Sequence, residues 1–526
     1  MNDKVAEQIS KTYDIDLKIA RILVDKGVTN LDLARATFNP VLENLLAPET
    51  LPDFKAALEK ILKAIGREEK ILIWGHEDAD GITSTCALMK AIEKLGGLVD
   101  YFIPAKSSNG HGLSKRGVDM AIEEGFKLIV TVDCGGSSGK EAEYALSKGM
   151  DVVVTDHHEL PRELPPTPFV NPKMGGGSFP YLAGVGVAFK MAWGILRYKS
   201  GWDLYRIRKE LPELFFYAYV GTIADRVPLF SENRIFLLEG EKVLSWYRHP
   251  LVKAYKNLKG EDPSPEIVIS LASAGKTTGR RNLGVELYKA SDEADAEAPL
   301  KEILREIEYW TVESERLLKE AQSRIKIVRN YILLDMGEVQ PRFLGFLSSR
   351  LKDKYNVPTI VLGRKDNGQV AAEVRAPYGF NSLDLLDHLS EIFIDYGGHK
   401  LASGFSMDPR QLPELVEEVE LYFKEKGNSL YNFSADITLS EKDRKILEDL
   451  VKVGQLGVEI RALFKKIKLQ KAKELLMGLP LVDPLGLLDL YGPQETANLL
   501  LLSTDQGIAV EQVQLYQPSY DHNPAD

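Results

Sequence analysis

The chain has 526 residues, of which 44% are hydrophobic and 27% charged, and its formal net charge is −11. This length predicts roughly two to four domains, and the composition is that of a globular protein that can bury sizeable cores. No apolar run approaches the roughly 18 residues of a membrane span, and the polar N-terminus lacks the apolar core of a signal peptide, so we expect a cytoplasmic protein without membrane contact. The two cysteines exclude a disulfide scaffold and a cysteine-rich zinc site.

The acidic balance argues against a generally basic nucleic-acid binder, although a local basic groove needs only a few lysines and arginines. Such clusters occur at residues 197–199 together with 206–209, at 276–281 and at 465–473. By itself, each cluster is typical of a solvated surface.

In chain order, residues 1–65 are predicted to be helical, because Ile15, Ile19, Ile22 and Leu23 repeat at helical spacing. From 66 to 295, predicted strands at 71–74, 98–104, 126–132 and 152–155 alternate with predicted helices at 82–92, 114–125 and 140–147, and further helices are predicted at 183–198 and 212–225. Ser114 is the predicted cap of the first of these helices. This alternation predicts an α/β domain with a parallel sheet and helices on both faces.

A charge-rich amphipathic stretch, 296–328, predicts a long helix connecting two domains. A second, smaller α/β domain is predicted at 329–430, with strands at 331–334, 359–362 and 370–374 and helices at 343–351, 383–389 and 412–423. The remaining residues, 431–526, form a C-terminal extension that prolines interrupt and that ends in a frayed tail at 517–526.

Acidic and histidine side chains follow the predicted strands of the first domain where those strands end. Residues 76–81 read HEDADG after the first strand, Asp133 follows the third, and Asp156-His157-His158 follows the fourth. Ligands of parallel α/β sheets bind at these strand ends, and oxygen ligands with imidazole suit Mn²⁺ or Mg²⁺. Taken singly, the first stretch is also typical of a polar turn, and Asp133 of a loop or helix cap.

Two further motifs are weak by themselves. Asp225 ends a predicted helix beside Arg226 and is typical of a helix terminus. Gly397-Gly398-His399 lies in the second α/β domain, where paired glycines let a ligand approach the backbone and His399 offers a phosphate contact. The alternative interpretation of Gly-Gly-His is a simple turn.

The order of these motifs resembles the DHH phosphoesterase family, most of all its RecJ branch of single-strand-specific exonucleases. The resemblance covers roughly residues 15–430 and rests on HEDADGITS (76–84), VDCGG (132–136), VVTDHHE (153–159), LAGVGVAFK (182–190), GTIADRVPL (221–229) and GGHKLASG (397–404). His76 departs from the bacterial pattern, which has an aspartate there, and looks more like archaeal RecJ-like nucleases.

The resemblance implies a site for two Mn²⁺ ions, with Mg²⁺ as the alternative, and Asp156 in a supporting position. The positions that match its metal-site and catalytic residues are Asp78, Asp80, Asp133, His157, His158 and Asp225, and His76 is either a further ligand or an orienting residue. His158 is also a candidate proton donor to the leaving oxygen. In the second domain, Arg375, His399, Gly397 and Gly398 match substrate-binding positions, but Glu373 stands where the family has a serine.

The implied function is a metal-dependent 5′–3′ exonuclease that degrades single-stranded DNA to 5′-mononucleotides in repair and recombination. Its partners would be single-stranded nucleic acid and replication or repair proteins. One alternative is a phosphodiesterase of the same family acting on oligoribonucleotides or cyclic dinucleotides, and another is a non-catalytic replication scaffold. The family usually continues into an OB-fold that grips single-stranded DNA; residues 431–440 resemble its start, so we expect a divergent OB-like region at 431–526.

Overall fold

The computed structural model describes residues 2–104, 112–175, 177–325, 330–365, 367–377, 379–426, 435–483, 486–489 and 492–515. The described residues form two compact units: those that fall within 1–305 and 435–515 form one, and those that fall within 306–426 form the other. The predicted tail at 517–526 and the final residues of the predicted 296–328 helix lie outside the described residues. None of the described helices combines the length and the apolar character that crossing a bilayer requires.

The first unit begins with helices, as predicted. They are α1 (Asn2–Tyr13), α2 (Leu17–Asp25), α3 (Leu31–Phe38) and α4 (Phe54–Gly66), with short 3₁₀ turns at Leu42–Asn44 and Pro48–Thr50. Ile19 and Leu23 are fully buried, so the predicted apolar face of α2 is confirmed. Asp16 caps α2 by accepting a hydrogen bond from the Lys18 amide, which satisfies one of the amides left open at a helix start.

A five-stranded sheet follows. Its elements are β1 (Lys70–Trp74), α5 (Ala79–Lys94), β2 (Val99–Phe102), α6 (Lys115–Glu123), β3 (Phe126–Thr131), α7 (Gly139–Ser147), β4 (Asp151–Thr155) and β5 (Phe169–Val170). The strand order is β2-β1-β3-β4-β5, and every neighbouring pair is parallel, which confirms the predicted parallel sheet. Ser114 caps α6 as predicted.

Helices cover both faces of this sheet. Leu72 and Trp74 of β1 point to the same face, because alternate residues of a strand do so, and they join a core with Val118 of α6 and Ala142 of α7. On the opposite face, α4 contacts β3 and β4, and α5 contacts β1 and β2. Such two-sided burial explains why the strands read as continuous apolar runs.

The strand order defines where a ligand can bind. From β1 the chain crosses first to β2 on one side, and β3 then lies on the other side of β1. The carboxyl ends of β1 and β3 therefore flank a topological switch point, where helices leave in opposite directions and open a crevice.

The unit continues, after a 3₁₀ turn at Pro172–Met174, mainly in helices: α8 (Gly184–Ser200), α9 (Leu204–Glu210), α10 (Glu213–Ala224), α11 (Glu232–Trp246), α12 (Pro250–Lys259), α13 (Pro265–Ser273), the short strands β6 (Thr277–Thr278) and β7 (Arg281–Asn282), and α14 (Leu283–Lys289). Helices α8 and α10 lie at the positions predicted from the sequence, and both pack on α5.

A buried ion pair joins α8 and α11. Lys190 Nζ lies 2.7 Å from Glu232 Oε1, and both side chains are fully buried.

Helix α15 (Glu293–Arg324) confirms the predicted long helix. The second unit then contains β8 (Ile332–Asp335), α16 (Pro341–Tyr355), β9 (Thr359–Arg364), β10 (Val370–Arg375), α17 (Ser382–His388), β11 (Asp395–His399), β12 (Ala402–Met407) and α18 (Leu412–Lys426), with 3₁₀ turns at Ser390–Ile392 and Pro409–Gln411. The sheet order is β11-β12-β10-β9-β8, with β8 and β9 parallel and the other pairs antiparallel. The predicted small α/β fold is confirmed.

The described C-terminal residues belong to the first unit and contain β13 (Ile437–Leu439), α19 (Arg444–Gly454), β14 (Arg461–Lys468), α20 (Leu469–Leu476), β15 (Leu481–Val482), β16 (Thr496–Thr504) and β17 (Gly507–Leu515). The five strands form one mixed sheet in the order β13-β14-β16-β17-β15. Asp449 of α19 accepts a hydrogen bond of 2.8 Å from the Asp16 amide, which ties this region to the N-terminal helices. The OB-like character and the domain boundaries stay predictions.

Candidate metal centre

Three of the predicted site residues follow β1. Asp78 caps α5 and accepts a hydrogen bond of 2.9 Å from the Gly81 amide. The Nδ1 atom of His76 lies 3.0 Å from Asp78 Oδ2. The helical spacing in the sequence starts at Ile82, but α5 already begins at Ala79, so Asp80 lies in the first turn of the helix.

Asp80 is held by the start of another helix. Its two carboxylate oxygens accept hydrogen bonds from the amides of Gly184, at 2.6 Å, and Val185, at 2.8 Å. These amides are among the unpaired donors at the N-terminus of α8, which also carries the positive end of the helix dipole. A side chain at residue 184 would not fit, because a Cβ there would lie 2.7 Å from Asp133.

Asp133 follows β3 and faces residues from two neighbouring strand ends. Its Oδ1 atom lies 3.1 Å from His157 Nε2, and its Oδ2 atom lies 3.9 Å from His76 Nδ1. Its side chain is 2% exposed, and its backbone φ of 58° is in the left-handed region, which is unusual for a residue other than glycine. Such strain is typical of positions whose side chain must point in one particular direction.

The carboxylate of Asp156 organises the two histidines after β4. It accepts hydrogen bonds from the Gly136 amide at 2.8 Å, from the His157 amide at 2.8 Å and from the His158 amide at 3.2 Å. His158 Nδ1 lies 2.8 Å from the same carboxylate. When Nδ1 of a neutral His158 donates to Asp156, the Nε2 atom has the lone pair that a metal would bind, and a cation there would replace the second proton of the charged form.

Asp225 joins the cluster from a helix rather than from a strand. It is the C-terminal cap of α10, and its Oδ2 atom lies 3.6 Å from His157 Nε2. The same nitrogen lies 3.8 Å from Asp80 Oδ2. His157 therefore stands between the residues after β3 and those contributed by α5 and α10.

The donor atoms of these residues form overlapping groups. Within each group the candidate ligand atoms lie within 4.8 Å of one another, and the groups are His76–Asp78–Asp133, Asp80–His157–Asp225 and Asp133–His157–His158. Both oxygens of Asp133 and the Nε2 atom of His157 are buried, and although Oδ1 and Nε2 lie 3.1 Å apart, their geometry is not that of a hydrogen bond. Buried polar atoms are normally satisfied, so this arrangement fits a set of ligands built around cations.

The electrostatics of the cluster support the same conclusion. Burial, followed by repulsion from neighbouring carboxylates, raises the pKa of Asp80 and of Asp133 and raises the pKa of Asp225 to about 6. Burial, followed by the charge of His158, lowers the pKa of His157 to about 4, so this imidazole is neutral and can act as a ligand. A site that concentrates negative charge in a buried place gains most from binding divalent cations.

In contrast, Asp78 and His158 favour their charged forms. Burial raises the pKa of Asp78, but the hydrogen bond and charge of His76 outweigh it and lower that pKa to about 2. The hydrogen bond to Asp156 raises the pKa of His158 despite its partial burial.

The predicted substrate residues lie in the second unit. Arg375 ends β10, and its Nη1 atom lies 2.7 Å from Glu373 Oε2. Residues 397–399 lie in strand β11, paired with β12, so the alternative interpretation of this motif as a turn is wrong. The side chain of His399 lies outside the described residues.

Sequence reasoning missed how the cluster is held together. The LAGVGVAFK segment was identified only by its resemblance to the family. That its backbone amides bind the Asp80 carboxylate was not predicted. A signal was available, because Gly184 and Gly186 are small residues at the start of a buried helix, which is typical of close backbone approach.

Comparison with known proteins follows these divisions. Residues 70–221 match the model of the DHH family, N-terminal domain, and residues 329–425 match the DHHA1 domain. The first range includes every candidate ligand except Asp225, and the second includes Arg375 and the Gly-Gly-His motif.

Curated relatives extend the match over most of the chain. The single-stranded-DNA-specific exonuclease RecJ of Bacillus subtilis is 32% identical over 84% of this chain, and the match covers 55% of that protein, so the chain spans about half its length. RecJ of Haemophilus influenzae is 31% identical, with 70% of this chain and 68% of that protein covered. A crystal structure of exonuclease RecJ bound to manganese superposes with a TM-score of 0.60 and 26% identity, covering 72% of this chain and 96% of that one. Both domain models match in order, and the chain is 31% identical to the Haemophilus influenzae protein over 68% of that protein's length. The chain therefore belongs to the RecJ family of DHH proteins.

Proposed function

We propose that the chain is a metal-dependent exonuclease that hydrolyses single-stranded DNA from its 5′ end to 5′-mononucleotides. The observation that carries this proposal is the cluster of buried carboxylates and neutral imidazole at the switch point of the sheet, with Asp133 and His157 atoms that no described hydrogen bond satisfies. The choice of single-stranded DNA as substrate is supported by the relatives named as single-stranded-DNA-specific exonucleases, and the choice of Mn²⁺ by the manganese-bound structure.

Two divalent cations, Mn²⁺ or Mg²⁺, fit the donor set. His76, Asp78 and Asp133 would hold one of them, and Asp80, His157 and Asp225 the other, with His158 completing the set. The two oxygens of Asp133 face His76 and His157 respectively, which makes Asp133 the residue that serves both groups. Such cations would neutralise a phosphodiester and lower the pKa of a bound water.

The chain's own residues then determine the geometry of the reaction. The α8 amides hold Asp80, and Asp156 holds His158 with Nε2 directed away from it, so the ligand positions are set before substrate binds. Hydroxide attacks phosphorus, the bond to the 3′-oxygen of the departing nucleotide breaks, and that oxygen takes a proton from water. Each cycle consumes one water and releases one mononucleotide.

The second unit is proposed to set the register. Arg375 offers guanidinium donors to a terminal phosphate, and Gly397, Gly398 and His399 would complete that contact. In the ion pair with Glu373, the Nη1 atom of Arg375 donates a hydrogen bond of 2.7 Å to the Glu373 carboxylate. Planar guanidinium can bind phosphate with two parallel hydrogen bonds, which would fix the position of the strand end.

A digestion experiment tests this function. The purified chain, with Mn²⁺, is given a 5′-phosphorylated single-stranded oligonucleotide labelled at its 3′ end, beside a dinucleotide and a cyclic dinucleotide. We expect stepwise loss of nucleotides from the 5′ end. Removal of Mn²⁺ should abolish this activity completely. Cleavage of only the small substrates would move the function to nucleotide turnover, and no Mn²⁺ binding would favour a non-catalytic scaffold.

A further inference from the structure

A second surface of the first unit has the chemistry of a ligand site. A groove of about 570 Å³ is lined by residues of α9 and α11, namely Tyr205, Arg208, Lys209, Lys242, Ser245 and Trp246. None of these residues belongs to the acidic cluster. The 206–209 cluster was interpreted from the sequence as a solvated surface, but the structure adds the cation and the aromatic ring that α11 contributes.

Two aromatic rings of this groove are exposed. The exposed fraction is 55% for Trp246 and 48% for Tyr205. Large aromatic side chains are usually well buried, and two of them exposed along one groove indicate a surface that contacts a flat apolar partner. The guanidinium of Arg208 lies 5.4 Å from the centre of the Tyr205 ring, so the apolar and the cationic elements are adjacent.

The cations of the groove are held in place from below. Glu239 is 1% exposed, and its carboxylate accepts hydrogen bonds of 2.6 Å from both Arg208 Nη1 and Lys242 Nζ. One buried carboxylate thus positions two cations. With the exposed Lys209, the three lining cations outnumber the two carboxylates bonded to the lining, Glu239 and Glu43, which accepts a hydrogen bond from the Tyr205 hydroxyl, on a chain of net charge −11. A local positive field of this kind attracts phosphate.

We propose that this groove is a contact site for single-stranded nucleic acid, separate from the metal centre. Bases stack on Trp246 and Tyr205, and the backbone phosphates contact Arg208, Lys209 and Lys242. This combination of ring faces and cations holds any sequence, because every base has a flat face, whereas a duplex hides those faces in its stack. An acidic protein segment would use the cations but would leave both rings without a partner. The inference rests on the proposed function.

The distance from the metal centre gives the proposal a specific consequence. Helix α8, with 17 residues, starts at the amide that holds Asp80 and ends just before α9. Helix α10, with 12 residues, runs back from α9 to Asp225. At a rise of about 1.5 Å per residue, the length of either helix places the groove roughly 20 Å from the metal centre. A strand must therefore be several nucleotides long to occupy both places.

The test compares substrates of two lengths in the full chain with Mn²⁺. Wild type, Trp246→Ala and Lys209→Gln are assayed on a thirty-nucleotide strand and on a trinucleotide, with Lys127→Gln and Leu98→Ala as exposed controls elsewhere in the unit. We expect kcat/KM on the long strand to fall about tenfold in Trp246→Ala, through KM, and kcat/KM on the trinucleotide to stay unchanged. Lys209→Gln should reduce the slope of log affinity against log salt for the metal-free complex by about 0.7.

The outcomes separate this inference from the proposed function. Equal activity of the groove variants and the wild type on the long strand would overturn the inference and would favour an acidic protein as the ligand of the groove. Equal losses on both substrates would also overturn it, since they would indicate structural damage. If the wild type cleaves neither substrate, the proposed function fails, but weaker metal-free binding of the long strand by Trp246→Ala would still support the groove.

Discussion

The carboxylate of Asp80 lies 2.6 Å from the backbone nitrogen of Gly184, the first residue of α8. This contact joins two segments that are 104 residues apart in the chain, and it aligns a helix N-terminus with a negatively charged residue of the metal centre. The donors to the Asp80 carboxylate are backbone amides of a buried helix. The carboxylate is therefore held by rigid backbone and not by another flexible side chain. The close approach also brings Gly184 against Asp133.

Gly184→Ala should disrupt the centre without unfolding the chain. The new Cβ would lie 2.7 Å from Asp133 Cβ and Oδ1, and a carboxylate that shifts by about 1 Å can lower the rate roughly 100-fold. We expect weaker Mn²⁺ binding by calorimetry and a corresponding loss of exonuclease activity. Gly66→Ala is the matched control, because a Cβ at Gly66 would meet nothing within 4 Å. Unchanged Mn²⁺ affinity in Gly184→Ala would contradict the described packing.

Asp133→Asn should separate stability from metal binding. Burial and repulsion raise the pKa of Asp133, so removing its charge relieves the metal-free cluster, and we expect an equal or higher melting temperature without metal. The stabilisation that Mn²⁺ gives to the wild type by binding the folded state should disappear, together with turnover. Melting curves with and without Mn²⁺ test this, with the exposed Asp32→Asn as control. Full activity of Asp133→Asn would refute the assignment of the centre.

The buried pair of Lys190 and Glu232 should be important for stability. Lys190→Met would leave the Glu232 carboxylate buried without its cation, and breaking such a pair typically lowers the free energy of unfolding by about 3–5 kcal/mol. The double variant Lys190→Met with Glu232→Gln should recover most of that loss, since the amide oxygen can still accept the hydrogen bond from the Leu46 amide. Urea denaturation measures both. A surface control, Lys471→Met, should change stability little.

His249 should make the first unit less stable in mild acid. Burial, opposed in part by the hydrogen bond to the Tyr288 carbonyl, lowers the pKa of His249 to about 3 in the folded state, against an ordinary value of about 6.5. The unfolded chain therefore takes up a proton as pH falls below about 6.5 and the folded chain does not, so this contribution to stability is complete above pH 6.5 and is lost between about 6.5 and 3.

The change is measurable as a difference between variants. From pH 7.5 to pH 5, His249 should lower the free energy of unfolding by about 2 kcal/mol. Subtracting the pH dependence of His249→Asn from that of the wild type isolates this residue from the carboxylates, which titrate in the same range. Parallel curves for the two proteins would show that His249 is not held neutral.

Much of the centre was predictable from the sequence alone. Asp78, Asp133, His157 and His158 follow apolar strands, and parallel strands must bring their carboxyl ends to one edge, so order along the chain already implied proximity. The strands were readable because burial on both faces leaves continuous apolar runs, and the Ser114 cap was readable because it depends on local hydrogen bonding.

Only the tertiary structure decided the rest. Asp225 has the local sequence of a helix end, and nothing near it indicates that α10 ends against His157; that depends on the packing of α10 on α5. Likewise, the amides of α8 that hold Asp80 and the residues of α11 that complete the aromatic groove are brought together by burial of apolar helix faces, which is non-directional and carries no local signal of its partner. Short-range hydrogen bonds and hydrophobic periodicity depend on neighbouring residues and can be predicted from them. Contacts between distant helices form only when the whole core packs.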